Sequence, residues 1–404
     1  PSLWEGLPRV AVEAQALRTP IISACSAGGL GEILLDGEAG IITKPNDPDD
    51  MKNGIEKYLD NKEMARNHSE LAYINLARFS VKKSAGEYLA RFSRYWMYKV
   101  EDVTVLIATK DRIDEIDRAI QSAINQSIRV KVVVLDDASE INIREKLEHK
   151  FVGHPVSWLR SNTPSGVAGA RNKLARSSQN SIMVFLDDDA YFTDETSLEK
   201  ILNKFSSSQE ISGMAFKIIL RKENDGLQIP FNRIKRLLNR NITDKETETS
   251  YYIGAGHVLL RETFEKIGGY DPELFYGLEE LDLSSEIIKE GKKIIYFPEV
   301  EIIHEPKKSV VDKKNKLKDE AYYSIRNRIW VSYKHLPTHY LVVHLFIWCS
   351  FYFFKSLFKF QLVKFFIAIT DGFRRLSSLE RKPFDSNSLE YLKNNHGRLW
   401  YWYE

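Results

Sequence analysis

At 404 residues the chain exceeds a single ordinary hydrophobic core, so two or three domains are expected. Its 58 basic and 56 acidic residues leave a formal net charge of +2, which excludes a global electrostatic pull toward nucleic acid. The two cysteines, Cys25 and Cys349, lie far apart in unlike settings, which argues against a disulfide framework and fits a reducing cytosol.

The first stretch carries Pro1-Ser2-Leu3-Trp4-Glu5-Gly6-Leu7-Pro8, then Glu13-Ala14, Thr19-Pro20-Ile21-Ile22 and Asp36-Gly37-Glu38-Ala39-Gly40. A boundary is expected between Trp96 and Asp102, just before an apolar run, Val103 to Ala108, that reads as a buried strand. Thr109-Lys110-Asp111-Arg112 follows it, and Ile116 to Ile124 has helical apolar spacing. A second buried-strand run, Val130 to Leu135, ends in Asp136-Asp137-Ala138-Ser139. Asn162 to Asn172 is a glycine-bearing loop leading into a helix, and Ile182 to Leu186 is a third strand, closed by Asp187-Asp188-Asp189.

Each of these strands delivers polar groups at its carboxyl end, where an open α/β sheet keeps its ligand crevice. Hard divalent cations take oxygen ligands, and Mg²⁺ or Mn²⁺ usually bridges one or two carboxylates to a diphosphate. The Asp187–Asp189 run therefore suggests a nucleotide-sugar site, although a solvated acidic turn would read the same from the tripeptide alone. Farther on come Gly268-Gly269-Tyr270-Asp271 and Tyr276-Gly277-Leu278-Glu279-Glu280-Leu281-Asp282-Leu283, then a strand, Ile294 to Ile303, closed by His304.

The tail has its own character. His335 to Phe354 contains no Lys, Arg, Asp or Glu, and Tyr340 to Phe354 is almost wholly apolar and aromatic. A spanning helix needs about 20 predominantly apolar residues, and that run is shorter and holds His344 and Ser350. Lys355, Lys359 and Lys364 interrupt a further apolar stretch. Lysines among aromatics suit helices lying in a headgroup region, with Arg374, Arg375, Arg381 and Lys382 facing anionic lipid. A span, or buried packing helices with a solvated basic patch, remain the alternatives.

In their order, the motifs TKDR, LDDAS, GVAGARN, FLDDDA, GGYD and YGLEELDL resemble the family 2 glycosyltransferases of GT-A fold over roughly Glu101 to Lys334, with a flavour of the bacterial rhamnosyltransferase-like members. The first stretch resembles the closing part of a family 4 glycosyltransferase of GT-B fold, Glu5 and Glu13 matching its donor motif, Phe79-Ser80 and Tyr88-Leu89 its last helices. Most of a GT-B enzyme is missing from it, and the chain opens on Pro1, so a piece of a longer two-enzyme polypeptide, or a remnant serving as scaffold, is expected. The implied fold class is α/β: a GT-A domain at 99–335 with a mainly parallel central sheet, a partial Rossmann-like GT-B remnant at 1–98, and membrane-associated helices at 336–404.

The resemblance also implies roles. Asp189 with Asp187 would bind Mg²⁺ or Mn²⁺, and His304 would either reach that metal or serve as a hydrogen-bonded loop residue. Thr109, Arg112, Asp136, Asp137, Gly166 and Asp188 would form the nucleotide-sugar pocket. Arg171 would pair with a phosphate, or make a helix-surface ion pair. Glu280 would be the general base for an acceptor hydroxyl, Glu279 a supporting acid, and Asp282 a cap or brace of the helix that begins there. The arginine that relatives carry after Asp-Leu is replaced by Ser284-Ser285-Glu286, while Tyr322 to Arg328 resembles the family's Arg-Asn segment near the acceptor. No Gln-x-x-Arg-Trp signature of processive polymerases is evident, which favours transfer of one or a few sugars.

The expected activity is inverting, metal-dependent transfer from a nucleotide-diphosphate sugar to a lipid-linked or growing glycan of a bacterial envelope, at the cytoplasmic face of the membrane. A nucleotidyl-transfer enzyme of similar fold and a non-catalytic nucleotide-sugar-binding scaffold are the competing expectations.

Overall fold

Residues 4–24, 27–79, 99–221, 226–231, 240–306, 320–395 and 397 are described by a computed structural model. The chain divides into two units, Pro1–Tyr95 and Trp96–Glu404.

In the first unit, the parallel strands Ile22–Ala24 and Ile41–Thr43 pack with the helices Arg9–Ala16, Pro48–Asp60 and Lys62–Asn75. Asp47 caps the second helix by accepting from the Asp50 amide at 2.9 Å. Ala11, Leu30, Ile33 and Leu34 form the core, and two buried amides stitch it, Gln15 to the Ile33 carbonyl at 2.6 Å and Asn75 to the Glu32 carbonyl at 2.8 Å. Glu13 is exposed. The side chain of Glu5, Cys25 and all of 80–98, including Ser80, Tyr88 and Leu89, lie outside the described residues.

The second unit is built on a ten-stranded sheet. Its strands are β1 (Val103–Thr109), β2 (Lys131–Asp137), β3 (Val156–Ser161), β4 (Ile182–Asp187), β5 (Ala190–Phe192), β6 (Ile211–Leu220), β7 (Gly226–Gln228), β8 (Thr247–Thr249), β9 (Gly256–Leu260) and β10 (Lys293–His304). The order is β8-β10-β6-β9-β4-β1-β2-β3, with β7 on β6 and β5 on β10. Both faces are covered, which explains the uninterrupted apolar runs. Val103, Val105 and Ile107 of β1 point to one core layer and Leu106 to the other. The first layer is closed by α1 (Ile113–Ile124) and α3 (Ser197–Ser207), the second by α2 (Gly166–Arg176) and α4 (Glu279–Lys289).

The expectation of a mainly parallel sheet needs correction. Strands β4, β1, β2 and β3 run parallel, but β9 lies antiparallel to both β4 and β6, and β8 and β5 are antiparallel to β10. The sheet is therefore mixed. An apolar run shows that a strand is buried on both faces, not which way it runs. Pro298 does not end β10: the pairing jumps from Phe216↔Phe297 to Lys217↔Glu301, and a bulge absorbs the missing donor.

Four helices complete this unit: α5 (Glu320–His335), α6 (Thr338–Phe358), α7 (Leu362–Arg374) and α8 (Ser386–Asn394). Tyr322, Ile325, Trp348, Tyr352, Phe365 and Ala368 form a core shared by α5, α6 and α7.

Candidate active site

The carboxyl ends of β1, β2 and β4 and the amino end of α4 converge because each strand stops where its polar residues begin. Asp187 Oδ1 lies 3.1 Å from Arg171 Nη2. Asp188 and Asp189 share Arg112, whose Nη1 donates to Asp188 Oδ1 at 2.9 Å and to Asp189 Oδ2 at 2.5 Å. His304 brings Nε2 to 3.3 Å from Asp189 Oδ1, and its Nδ1 is 2.8 Å from Gln228 Oε1. Ligand atoms of Asp187, Asp189 and His304 all lie within 4.8 Å of one another.

Burial pushes the Asp188 carboxyl up to about 7, against the pull of Arg112. Asp189 is held below the usual carboxylate range: burial opposes its ionisation, but the His304 hydrogen bond and the Arg112 charge outweigh burial. Asp187 is pushed up by burial, with Arg171 opposing.

Arg171 departs from the helix-surface ion pair that the sequence allowed. It is 4% exposed, and its guanidinium serves protein groups: Asp187, the Gly254 carbonyl at 3.0 Å, Glu279 Oε1 at 3.2 Å and Glu280 Oε1 at 3.6 Å. It is not a surface ion pair, and it stands in the wall of a cavity that Glu279 and Glu280 also line. α2 runs from the sheet edge into the core layer, and its position inside that layer, not its sequence, puts Arg171 among acids.

Glu279 and Glu280 open α4 and differ in setting. Glu279 is 3% exposed, and burial beside Glu280 raises its carboxyl above the usual range despite Arg171. The Glu280 side chain is 23% exposed. A cavity of about 360 Å³ is lined by both glutamates together with Asp187, Arg171, His304 and Gln228.

Asp282 is not at this cavity. It binds His335 Nε2 at 2.7 Å and Lys334 Nζ at 2.8 Å, so it braces α4 against α5. Asp136 is likewise structural, bound to Arg160 Nη1 at 2.7 Å and the Ser139 amide at 2.9 Å. Asp137 accepts from the Ser165 amide at 2.8 Å and hydroxyl at 2.6 Å, and so fixes the start of α2. Thr109 is buried at the carboxyl end of β1. Gly166 has φ +71°, and a Cβ there would sit 2.6 Å from the Phe275 carbonyl, so α2 starts on glycine.

Gly254 and Tyr352 of α6 line the cavity without belonging to any motif, whereas Ser324 and Arg328 of α5 come from the Tyr322 to Arg328 segment that resembles the family's acceptor-side segment. A Cβ on Gly254 would collide with Glu280 Oε1 and crowd Arg171 Nη2, so glycine lets both side chains keep these positions. Gly254 stands in the Gly254-Ala255-Gly256 run, whose close glycines were the one available signal of a tight approach.

Among known proteins, residues 104–268 match Glycosyl transferase family 2, and residues 1–74 match Glycosyl transferases group 1. An uncharacterized glycosyltransferase of Haemophilus influenzae is 25% identical over 196 residues, 46% of this chain and 62% of that protein. The O-antigen chain rhamnosyltransferase WbaN of Salmonella anatum is 24% identical over 200 residues, 48% of this chain and 61% of that protein. The chain thus spans less than two thirds of the length of these relatives. The crystal structure of GalNAc-T7 with UDP, GalNAc and Mn²⁺ aligns with a TM-score of 0.48 and 17% identity, over 60% of this chain and 49% of that one.

Proposed function

Taking residues 104–268 as a glycosyl transferase family 2 domain and residues 1–74 as a group 1 segment, we propose that the chain moves a sugar from a nucleoside-diphosphate donor to an acceptor hydroxyl of a glycan, with inversion at the anomeric carbon. One observation carries this reading: a single cavity is lined both by members of the Asp187, Asp189 and His304 group and by the Glu279-Glu280 pair.

Two carboxylates and an imidazole fit a divalent cation, and Gln228 at His304 Nδ1 is the kind of partner that orients a ligating ring. Asp187, Asp189 and His304 would hold Mg²⁺ or Mn²⁺. Bound there, it would offset the negative charge that develops on a departing diphosphate. Arg112, against Asp188 and Asp189, adds fixed positive charge at the same place.

In the transfer, the acceptor oxygen bonds to the anomeric carbon from the face opposite the diphosphate. The bond from that carbon to the phosphate oxygen breaks, its electron pair leaving with the nucleoside diphosphate, and the hydroxyl proton passes to Glu280. Glu280 is the exposed member of the pair, while Glu279, buried against Arg171, holds the pair in place. The transferase would occupy 99–335, preceded by the group 1 segment within 1–98. The name of the Salmonella relative, an O-antigen chain rhamnosyltransferase, supports a bacterial polysaccharide as the product, and the cytoplasmic face of the membrane is proposed as the place of work.

A panel of UDP-, GDP- and dTDP-sugars tests the reading, with thermal shift and donor hydrolysis measured in Mn²⁺ and in chelator. At least one donor should stabilise the protein only with metal, and Asp189→Ala should abolish that shift. Stabilisation by no donor, or hydrolysis by Asp189→Ala at the parent rate, would overturn it.

A further inference from the structure

Helix α6 is patterned inside out. Its buried stripe, four residues apart, is Tyr340, His344, Trp348, Tyr352 and Ser356, whereas the stripe on the opposite side includes Val342 at 63%, Phe346 at 73%, Phe354 at 55% and Phe358 at 81% exposure. A water-facing helix places its polar residues outward. α7 continues the exposed apolar surface with Val363, Phe366 and Phe373, and Phe360, between the two helices, is 97% exposed. An apolar surface of this kind marks an interaction site.

The charge pattern selects the partner. Between Leu336 and Arg374 the only acid is Asp371, and it accepts from the Tyr322 hydroxyl at 2.7 Å, whereas Lys355, Lys359, Lys364 and Arg374 are interspersed with the apolar residues of the same two helices and their junction. Cations among aromatic and aliphatic side chains match an anionic lipid surface. The inward stripe fixes how the helix meets it. Trp348 lies under the Arg328 guanidinium at 4.0 Å, and Tyr352 lines the 360 Å³ cavity. α6 has the 21 residues and the composition to cross a bilayer, but a crossing would carry Arg328 and the cavity wall into hydrocarbon.

We infer that the outward face of α6 and α7 lies flat in the headgroup region of an anionic membrane, and that Tyr352 on the same helix makes the cavity wall nearest that surface, so that the acceptor is an amphiphile held in the bilayer by a lipid chain. The acceptor part of this inference rests on the glycosyl-transfer reading; the docking part does not.

Co-sedimentation of the full chain with vesicles of phosphatidylcholine alone, and with added phosphatidylglycerol, tests the docking. The parent should sediment with the anionic vesicles and much less with the neutral ones. Phe346→Ser/Phe358→Ser/Phe360→Ser should weaken partition by about tenfold or more, and Lys355→Glu/Lys359→Glu should erase the preference for anionic lipid, both with unchanged thermal unfolding. Equal sedimentation of parent and triple variant would overturn the proposal. So would a vesicle-free dimer, seen by analytical ultracentrifugation, that the triple variant loses, since the face would then join two copies. Mn²⁺-dependent donor hydrolysis, measured without vesicles, should be equal in parent and triple variant. If that hydrolysis is absent in both while docking holds, the transfer reading fails and the membrane face stands.

Discussion

Arg171 Nη1 lies 3.2 Å from Glu279 Oε1, and both side chains are 5% exposed or less. The second nitrogen of the same guanidinium is 3.1 Å from Asp187. One buried cation therefore ties the acids assigned to donor and metal to the acids assigned to the acceptor proton. Removing it would leave Glu279 in the interior without its counter-charge.

Arg171→Met should accordingly destabilise the second unit by about 3–5 kcal/mol, the usual cost of breaking a buried ion pair from one side. Arg171→Met/Glu279→Gln should recover part of that loss. Urea unfolding of the parent, both single variants and the double variant measures the coupling; strictly additive losses would show that the two groups do not act on each other.

Glu280→Gln keeps size and hydrogen bonding but cannot take a proton. Transfer should fall by ~10²–10⁴-fold while donor affinity stays near that of the parent, since Asp189 and Arg112 are untouched. Glu279→Gln should cost less, because Glu279 is buried against Arg171 and is the less accessible of the two carboxylates. Calorimetric donor affinity and turnover for both variants decide the assignment. A larger rate loss in Glu279→Gln would move the base by one residue.

The elements of this site were legible where local pattern fixes them. Apolar runs ending in polar residues marked β1, β2 and β4, and the triplet Asp187-Asp188-Asp189 stands at the strand end where it was expected. Partners supplied by distant chain were not legible. Arg171 meets Glu279 from 108 positions away, and Asp282 meets His335 from 53, so the surface ion pair read for Arg171 gives way to buried acids, while Asp282, read as a cap or brace, has partners that its local sequence does not name. Strand direction was hidden for the same reason, since β9 shows the same apolar run in either sense. The role of Gly254 depends on where Glu280 Oε1 sits, and spacing alone does not contain that.

Acid should separate structural from functional carboxylates. Asp282 is depressed to about 2: burial would raise it, but the hydrogen bond and charge of His335 and the Lys334 ammonium more than compensate. Its folded value lies below the unfolded value of about 3.9, so its contribution is fully present above pH ~4 and is lost as pH falls toward 2. The amount is on the order of 2–3 kcal/mol. Burial lowers the His335 imidazole, so protonating it on acidification also opposes folding. The stability gap between the parent and Asp282→Asn, followed by urea unfolding from pH 6 down to pH 2, should narrow across the lower half of that range. A gap independent of pH would mean that Asp282 contributes by shape alone.

Asn327 should govern rate without governing donor affinity. Wholly buried on α5, its amide donates to the carbonyls of Leu274 at 2.8 Å, Tyr276 at 2.9 Å and Gly277 at 2.8 Å, and Arg326 adds bonds to Glu273 at 2.7 Å and Leu274 at 3.1 Å. The segment so held contains Phe275 at φ 58°, Gly277 at 78° and Leu278 at 69°, and it leads directly into Glu279 and Glu280. Non-glycine residues at such φ cost about 1–3 kcal/mol each and persist only where the surroundings impose them. Asn327→Ala removes three of those restraints, so the segment should relax and carry the glutamate pair out of line. The expected result is a fall in kcat of about tenfold or more, the effect of an ångström-scale misplacement, with calorimetric Mn²⁺-dependent donor affinity within a factor of about two of the parent. Asn327→Asp, which presents a carboxylate to three carbonyls, should be worse than alanine. If donor affinity falls in step with kcat in both variants, Asn327 supports the whole domain rather than this segment, and the positioning role is lost.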